Sequence, residues 1–166
     1  IKYCPYLLYC NLEINTKNTF PHSSGIASSA SGMSALSLCI MSLEKEITKE
    51  DFSGNFFFLK ASFLSRIGSG SACRSVYGGF NIWGKHKDFE QSSDLFSLQL
   101  NQSISTEFEN FQDTILLVDE NQKDVSSSAG HSLMDNHPFS VDRYMIANKN
   151  TSALKIILEK GDLFAF

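Results

Sequence analysis

Residues 68–80 read GSGSACRSVYGGF, and this stretch decides the fold that we predict for the chain. Its first glycines interrupt a helix that the apolar spacing predicts over residues 55–67. The serine hydroxyls and turn amides form a concave nest, and Arg74 follows about one helical turn later. Because a guanidinium can fold back over such a nest toward a carboxylate or phosphate, the stretch predicts an anion site. The alternative is a surface arginine beside a flexible loop.

A second stretch of the same kind lies upstream, where residues 20–32 read FPHSSGIASSASG. It follows a strand predicted over residues 6–14 and leads into a helix predicted over residues 27–43. The amino end of a helix attracts phosphate oxygens, and small side chains let a phosphate approach the backbone. A nucleoside triphosphate is the expected ligand, with a serine-capped helix packed through small residues as the alternative. The spacing excludes both G-x-x-x-x-G-K-[ST] and G-x-G-x-x-G.

Serine accounts for 25 of the 166 residues, and a third cluster, VSSSAG at residues 125–130, begins a helix predicted over 126–134 with Ser126 as its cap. The charged residues 44–51 are interpreted as a solvated connection. Helices and strands without a strict βαβ repeat indicate an α+β fold. The other predicted elements are strands over 80–83 and 114–119, a weakly patterned stretch over 85–102, and helices over 138–147 and 151–160, the last ended by Gly161.

The composition excludes several classes of partner. Lys and Arg number 14 against 18 Asp and Glu, for a formal net charge of -4, whereas a protein that neutralises nucleic-acid phosphates is normally basic. No apolar run approaches the roughly 20 residues that a membrane span needs. The four cysteines lack C-x-x-C spacing, which favours reduced thiols over a zinc site or a disulfide. We therefore expect a cytoplasmic protein without nucleic-acid or membrane partners.

Together, these segments resemble the diphosphomevalonate decarboxylases of the GHMP kinase superfamily. The family signature G-S-G-S-A-C-R-S-[LIV]-[YF]-G-G-[FY] is present unbroken at residues 68–80. The family's phosphate loop, N-x-F-P-T-A-A-G-L-A-S-S-A-A-G, is similar to residues 18–32, where His22 replaces the threonine and Ser23 and Ser24 replace two alanines. The resemblance covers nearly all the chain and is weakest over residues 85–102.

The resemblance implies ATP-dependent decarboxylation of mevalonate 5-diphosphate to isopentenyl diphosphate, a step of isoprenoid biosynthesis. Arg74 is implied to be catalytic, holding the substrate carboxylate, and Mg²⁺ is expected to arrive with ATP, with Ser29 as a candidate ligand. The residues implied to bind the ATP phosphates are Ser24, Gly25, Ile26, Ala27, Ser28 and Ser29. Those implied to bind the substrate are Ser69, Ser71, Arg74 and Ser127.

The fold implied by the resemblance is a GHMP kinase-type two-layer α/β sandwich from the centre of a two-domain enzyme. Residues 1–104 are expected to form part of the N-terminal ATP-binding domain, and residues 105–166 the start of the C-terminal domain. The family's N-terminal lysine and catalytic aspartate are expected outside the chain, so the chain should be inactive alone. The full-length protein is expected to be a homodimer. The alternatives are another GHMP small-molecule kinase, a decarboxylase of mevalonate monophosphate or bisphosphate, or a noncatalytic nucleotide-binding module.

Overall fold

A computed structural model describes residues 2–21, 26–100, 104–118, 125 and 127–166, with only the backbone for 127 and 128. Within this described part, the chain combines α-helices with a small antiparallel sheet, which is compatible with the α+β fold expected. The helices are α1 (Ser28–Thr48), α2 (Gly54–Gly68), α3 (Ser127–Ser132) and α4 (Ser140–Lys160), and the strands are β1 (Asn81–Trp83) and β2 (Ser97–Gln99). Shorter 3₁₀ segments cover Pro5–Tyr9, Gly70–Val76 and Thr106–Phe108.

The core lies where α1, α2 and the 3₁₀ segment Gly70–Val76 pack together. Met41 and Ala61 are fully buried, and Val76 is 6% exposed. Tyr77 packs against this cluster, and burial raises the pKa of its hydroxyl to about 12. The α2 helix confirms the prediction over residues 55–67, and it begins where the Ser53 hydroxyl accepts a hydrogen bond from the amide of Phe56.

The predicted solvated connection over residues 44–51 is correct for the exposed residues 45–51 and wrong at Glu44, and its first five residues are helical. Helix α1 continues to Thr48, and Glu44 is buried within it. The Lys60 ammonium of α2 lies 2.5 Å and 2.7 Å from the two carboxylate oxygens of Glu44. Lys60 belongs to another helix, so the sequence around Glu44 does not show that this carboxylate is paired inside the protein.

The two strands form a hairpin that the sequence predicts only in part. Strand β1 lies within the predicted strand over residues 80–83, and it pairs with β2 in the register Asn81↔Gln99, Ile82↔Leu98 and Trp83↔Ser97. Strand β2 falls inside the weakly patterned stretch 85–102, where no strand is predicted. Its three residues are too few to show an alternating pattern.

Two other predicted strands are absent from the described residues. The stretch over 6–14 begins as the 3₁₀ segment Pro5–Tyr9 and then continues without regular structure, and residues 114–118 are irregular and exposed. A strand needs a partner for its backbone groups, and neither stretch has one within the described chain. The Tyr6 hydroxyl instead donates to the carbonyl of Ile40, 2.9 Å away, and burial raises the pKa of Tyr6 well above its usual value.

Helix α4 replaces the two helices predicted over 138–147 and 151–160. The intervening residues stay helical, since the Asn148 amide donates to the Tyr144 carbonyl at 2.8 Å and the Thr151 hydroxyl to the Ala147 carbonyl at 2.9 Å. The helix ends at Gly161 in the left-handed conformation (φ 73°), as predicted. Helix α3 falls within the predicted 126–134, whereas its expected cap, Ser126, lies outside the described residues.

Side-chain contacts attach α4 to the loop that follows β1. A ring nitrogen of His86 lies 3.0 Å from the Asn148 carbonyl, and the Ser152 hydroxyl donates to the Asp88 carboxylate. This hydrogen bond holds the pKa of Asp88 below its ordinary value, because it favours the ionised carboxylate. None of the helices described has the length and apolar character that crossing a bilayer requires.

Replacing Lys60 by methionine leaves the Glu44 carboxylate without its counter-charge. The site is largely buried, since the side chain of Lys60 is 19% exposed and that of Glu44 is 11% exposed. We expect the free energy of unfolding to fall by about 2–4 kcal/mol in urea denaturation, because a buried charge without a partner keeps its desolvation cost. The matched control is Lys49→Met, which removes the pair with Glu46, whose side chains are 78% and 77% exposed. That change should cost less than about 0.5 kcal/mol. Equal losses in the two variants would contradict this interpretation.

Candidate functional site

The two glycine-containing loops singled out in the sequence lie side by side. Helix α2 ends at Gly68, and the next residue, Ser69, places its hydroxyl 3.3 Å from that of Ser29 in the first turn of α1. A Cβ atom on Gly68 would lie 2.5 Å from the sulfur of Met33, closer than atoms can pack. The absence of a side chain at Gly68 therefore lets the end of α2 approach α1 closely enough to bring the serines together.

A cavity of about 330 Å³ opens beside this contact. Its walls come from the start of α1, the 3₁₀ segment Gly70–Val76 and the first residue of β1. It contains one cationic side chain, Arg74, and no acidic residue among those described as lining it. The lining residues are Ala27, Ala30, Ser71, Arg74, Ser75, Gly79, Phe80 and Asn81.

The start of α1 gives the cavity a second source of positive potential. The helix has 21 residues, and its cap residue, Ala27, lies in the left-handed region with φ 52° and makes no side-chain capping hydrogen bond. An alanine in this conformation is strained, since its Cβ crowds the backbone. The amino end of a helix carries roughly half a positive charge, which favours an anion beside Ala27 and Ala30.

Buried hydroxyls fix the 3₁₀ segment that carries Arg74. The Ser62 hydroxyl of α2 donates to the Cys73 carbonyl at 2.8 Å, and the Cys73 thiol donates to the Gly70 carbonyl at 3.1 Å. Burial raises the pKa of the Cys73 thiol, although the neighbouring Arg74 charge opposes the shift. The thiol therefore stays protonated at neutral pH and acts as a packing and hydrogen-bonding group, because only the thiolate is a nucleophile.

The exposed Arg74 guanidinium is available to a ligand. Among the described residues, no carboxylate forms an ion pair with it. Its backbone carbonyl accepts hydrogen bonds from the Tyr77 amide at 3.4 Å and from the Asn81 side chain at 3.2 Å. The main chain of Arg74 is thus anchored, whereas its side chain is exposed and has no carboxylate partner among the described residues.

The structure brings together most of the predicted site residues that it describes. Ala27 from the first loop shares the cavity with Ser71 and Arg74 from the second, and the Ser29 and Ser69 hydroxyls contact each other. Ile26 and Ser28 are half-buried at the start of α1, and neither they nor Ser29 and Ser69 line the cavity. The positions of three predicted site residues cannot be compared with the cavity. Ser24 and Gly25 lie outside the described residues, and only the backbone is described for Ser127, which begins α3.

Sequence reasoning missed the part of the cavity beyond the 3₁₀ segment. Asn81 is the most informative of the missed residues, because its side chain hydrogen-bonds to the backbone of Arg74. The available signal was its position directly after the stretch 68–80. The remaining lining residues lie inside the stretches 20–32 and 68–80 but were given no role in the predicted site, and they are Ala30, Ser75, Gly79 and Phe80.

A cavity that combines a guanidinium, serine hydroxyls and a helix amino end, with no carboxylate in its described walls, is typical of proteins that bind anionic small molecules. Residues 6–96 match the family described as "Diphosphomevalonate decarboxylase-like N-terminal domain". This match includes both predicted loops and more than half of the chain. The chain therefore belongs to the diphosphomevalonate decarboxylase-like family.

Individual relatives agree with the family match. The chain is 35% identical over 131 residues to a diphosphomevalonate decarboxylase of Saccharomyces cerevisiae, covering 78% of this chain and 30% of the yeast protein. It is 29% identical over 164 residues to the Aspergillus fumigatus enzyme of the same name, covering 98% and 38% of the two chains. The Danio rerio enzyme is 34% identical over 119 residues, covering 72% and 26%. The chain thus spans about a third of the length of these relatives, and no solved structure matches it significantly.

Substitution of Gly68 by alanine tests the close approach of α1 and α2. We expect the free energy of unfolding to fall by about 1–3 kcal/mol, because the new methyl group meets Met33. The loss should shrink when Met33→Ala is added, since the second change makes room. The control on the same helix is Gly54→Ala, which meets nothing within 4 Å. Chemical denaturation of Gly68→Ala, Met33→Ala, their combination and Gly54→Ala measures both effects, and a Gly68→Ala variant as stable as Gly54→Ala would contradict the packing argument.

Proposed function

We propose that the protein catalyses the ATP-dependent decarboxylation of mevalonate 5-diphosphate to isopentenyl diphosphate, a step of isoprenoid biosynthesis. The observation that carries this proposal is the shared cavity in which Ala27 of the first loop faces Ser71 and Arg74 of the second. A reaction between two polyphosphate substrates needs two anion-binding loops side by side, because the transferred phosphoryl group must reach its acceptor directly. Family membership supports the same activity.

The first loop is proposed to bind the phosphates of ATP and the second to bind the substrate. The helix amino end and small residues around Ala27 suit phosphate oxygens, which need backbone donors and close approach. On the other side, Ser69 and Ser71 are proposed to donate to the substrate diphosphate, with help from Ser127. The residues assigned to the ATP phosphates are Ser24, Gly25, Ile26, Ala27, Ser28 and Ser29.

The proposed reaction explains why an arginine is needed next to the substrate carboxylate. The tertiary 3-hydroxyl is a poor leaving group, so the γ-phosphoryl group of ATP is transferred to its oxygen and ADP is released. The C3–O bond then breaks with loss of phosphate, and the C1–C2 bond breaks with loss of carbon dioxide. The electron pair of the C1–C2 bond becomes the new double bond between C2 and C3. Arg74 is proposed to hold the carboxylate in the orientation that this fragmentation requires.

Magnesium is proposed to bind through the phosphates of ATP. Mg²⁺ commonly keeps several waters and takes phosphate oxygens with one or two protein ligands. The Ser29 hydroxyl, in the first turn of α1, is the proposed protein ligand. When bound, the ion would neutralise charge on the β- and γ-phosphates.

The finer architecture is also a proposal. We infer that residues 1–104 belong to the N-terminal domain of a GHMP kinase-type two-layer sandwich and that residues 105–166 begin the C-terminal domain. The family match over residues 6–96 lies wholly inside the first of these units. The resemblance further supports a cytoplasmic homodimer for the full-length protein.

Product analysis of the full-length protein tests the proposed reaction. With mevalonate 5-diphosphate, ATP and Mg²⁺, we expect isopentenyl diphosphate, ADP, phosphate and carbon dioxide in equal amounts, because one fragmentation follows each phosphoryl transfer. Labelled carbon dioxide and phosphate release would be followed in the same reaction. Phosphorylated mevalonate without carbon dioxide would instead identify a GHMP small-molecule kinase. Decarboxylation of mevalonate monophosphate or bisphosphate, with no activity on the diphosphate, would show that the enzyme has a different substrate. ATP binding without any turnover would indicate a noncatalytic module.

Replacement of Arg74 by alanine tests its role in that reaction. We expect kcat/KM for mevalonate 5-diphosphate to fall by roughly 30- to 1000-fold, equivalent to about 2–4 kcal/mol, because a charge-assisted contact to the carboxylate is lost. The matched control is Arg66→Ala. Arg66 lies on α2, where its Nε donates to the Leu95 carbonyl at 2.9 Å, and it does not line the cavity. Steady-state kinetics in which both variants retain full turnover would remove Arg74 from the mechanism.

A further inference from the structure

We infer that Asn81 is a positioning residue for Arg74, acting through the hydrogen bond from its side-chain amide to the Arg74 carbonyl. The inference rests on the proposed function, in which Arg74 holds the substrate carboxylate. Asn81 is the first residue of β1, is half-buried and lines the same cavity as Arg74. It therefore stands between the hairpin and the 3₁₀ segment that carries the guanidinium.

The orientation of the Asn81 amide follows from its partners. The Arg74 carbonyl can only accept a hydrogen bond, so the Nδ2 of Asn81, 3.2 Å away, must be on that side. This places Oδ1 toward the Ser97 hydroxyl, which donates to it at 2.8 Å. The Ser97 hydroxyl is also 3.0 Å from the Ile82 carbonyl, so its proton is shared between two acceptors. Asn81 thus has a fixed rotamer before any ligand binds.

A closed set of hydrogen bonds connects Asn81 to the interior of the protein. The amide of Ser97, which is fully buried, donates to the Ser62 hydroxyl at 2.8 Å. The same Ser62 hydroxyl donates to the Cys73 carbonyl at 2.8 Å. Two successive carbonyls of the 3₁₀ segment, those of Cys73 and Arg74, are therefore held by side chains joined through one buried serine. The bonds made by Ser62 are buried and give Asn81 a rigid base, whereas the bond from Asn81 to the Arg74 carbonyl lies at the surface.

This anchoring matters because an arginine side chain has several rotatable bonds and Arg74 is exposed, with no ion pair among the described residues. The direction of its guanidinium depends on where its backbone lies. The only other donor to its carbonyl within the described chain is the Tyr77 amide, at a longer 3.4 Å. Loss of the Asn81 bond would let the end of the 3₁₀ segment shift and widen the range of guanidinium positions, which lowers the fraction that can meet the carboxylate.

Gln99 provides a matched control, because it is paired directly with Asn81 across the hairpin. Its side-chain amide also donates to a backbone carbonyl, that of Gly78, at 3.0 Å. Unlike Asn81, it does not line the cavity and makes no contact with Arg74 that is described here. A loss of hairpin stability alone would therefore affect Asn81 and Gln99 variants alike, whereas a positioning role would separate them.

The experiment is a double-mutant cycle in the full-length protein with Asn81→Leu, Arg74→Ala and their combination. Leucine keeps the branching and the number of non-hydrogen atoms of asparagine, is somewhat larger, and removes both polar ends. We expect Asn81→Leu to lower kcat/KM for mevalonate 5-diphosphate about tenfold while leaving KM for ATP unchanged, because only the carboxylate side is affected. In the Arg74→Ala background the same change should have an effect of less than about twofold, since Asn81 acts through the missing guanidinium. Gln99→Leu should stay within about twofold of the unsubstituted protein.

Each outcome decides between the inference and its alternatives. Independent, multiplicative losses in the double variant would overturn the positioning role, as would equal losses for Asn81→Leu and Gln99→Leu. Thermal unfolding is recorded for every variant, and Asn81→Ala replaces Asn81→Leu if the larger side chain prevents folding. If the unsubstituted protein releases no carbon dioxide from mevalonate 5-diphosphate, the proposed function fails and the inference fails with it. If it does, and the cycle is additive, only the inference fails.

Discussion

The close approach of α1 and α2 at Gly68 is the constraint on which the site depends. Because Gly68 presents no side chain to Met33, the end of one helix reaches the beginning of the other, and the Ser29 and Ser69 hydroxyls come within 3.3 Å. The two loops belong to segments that are far apart in the chain. A wider helix spacing would separate the helix amino end from the segment that carries Arg74, and the single cavity would become two unconnected surfaces.

Serine side chains also hold the site together, because they hydrogen-bond to its backbone. Ser62 and Ser97 are fully buried, occupy little volume and still provide hydrogen-bonding groups for backbone that would otherwise have none. The abundance of serine in this chain therefore has two causes that the sequence does not separate. Some serines approach the cavity, as Ser71 does, and others fasten the 3₁₀ segment to the helix and hairpin beneath it.

The sequence predicts the local structure around residues 68–80 better than it predicts the rest of the fold. The stretch 68–80 signals its own turn and its arginine locally, so helix α2 and the end of that helix follow from a few neighbouring residues. The longer reach of α1 depends on Lys60, which pairs with Glu44 from another helix, and the role of Asn81 depends on Ser97, sixteen positions away. Neither relation has a local signature. Residues 6–14 are the opposite case, because their alternating pattern locally predicts a strand that does not form. A strand also needs a neighbouring strand to hydrogen-bond to its backbone, and the pattern does not show whether one is present.

The attachment of α4 to the loop after β1 has a consequence at low pH. Asp88 is ionised when it accepts the hydrogen bond from Ser152, and its lowered pKa means that this bond contributes stability above the ordinary carboxyl range and is lost only as acid protonates the group. At neutral pH the helix is therefore tethered to the same hairpin whose first residue supports Arg74. Protonation of Asp88 in acid would weaken one of the contacts that hold the helix to this loop.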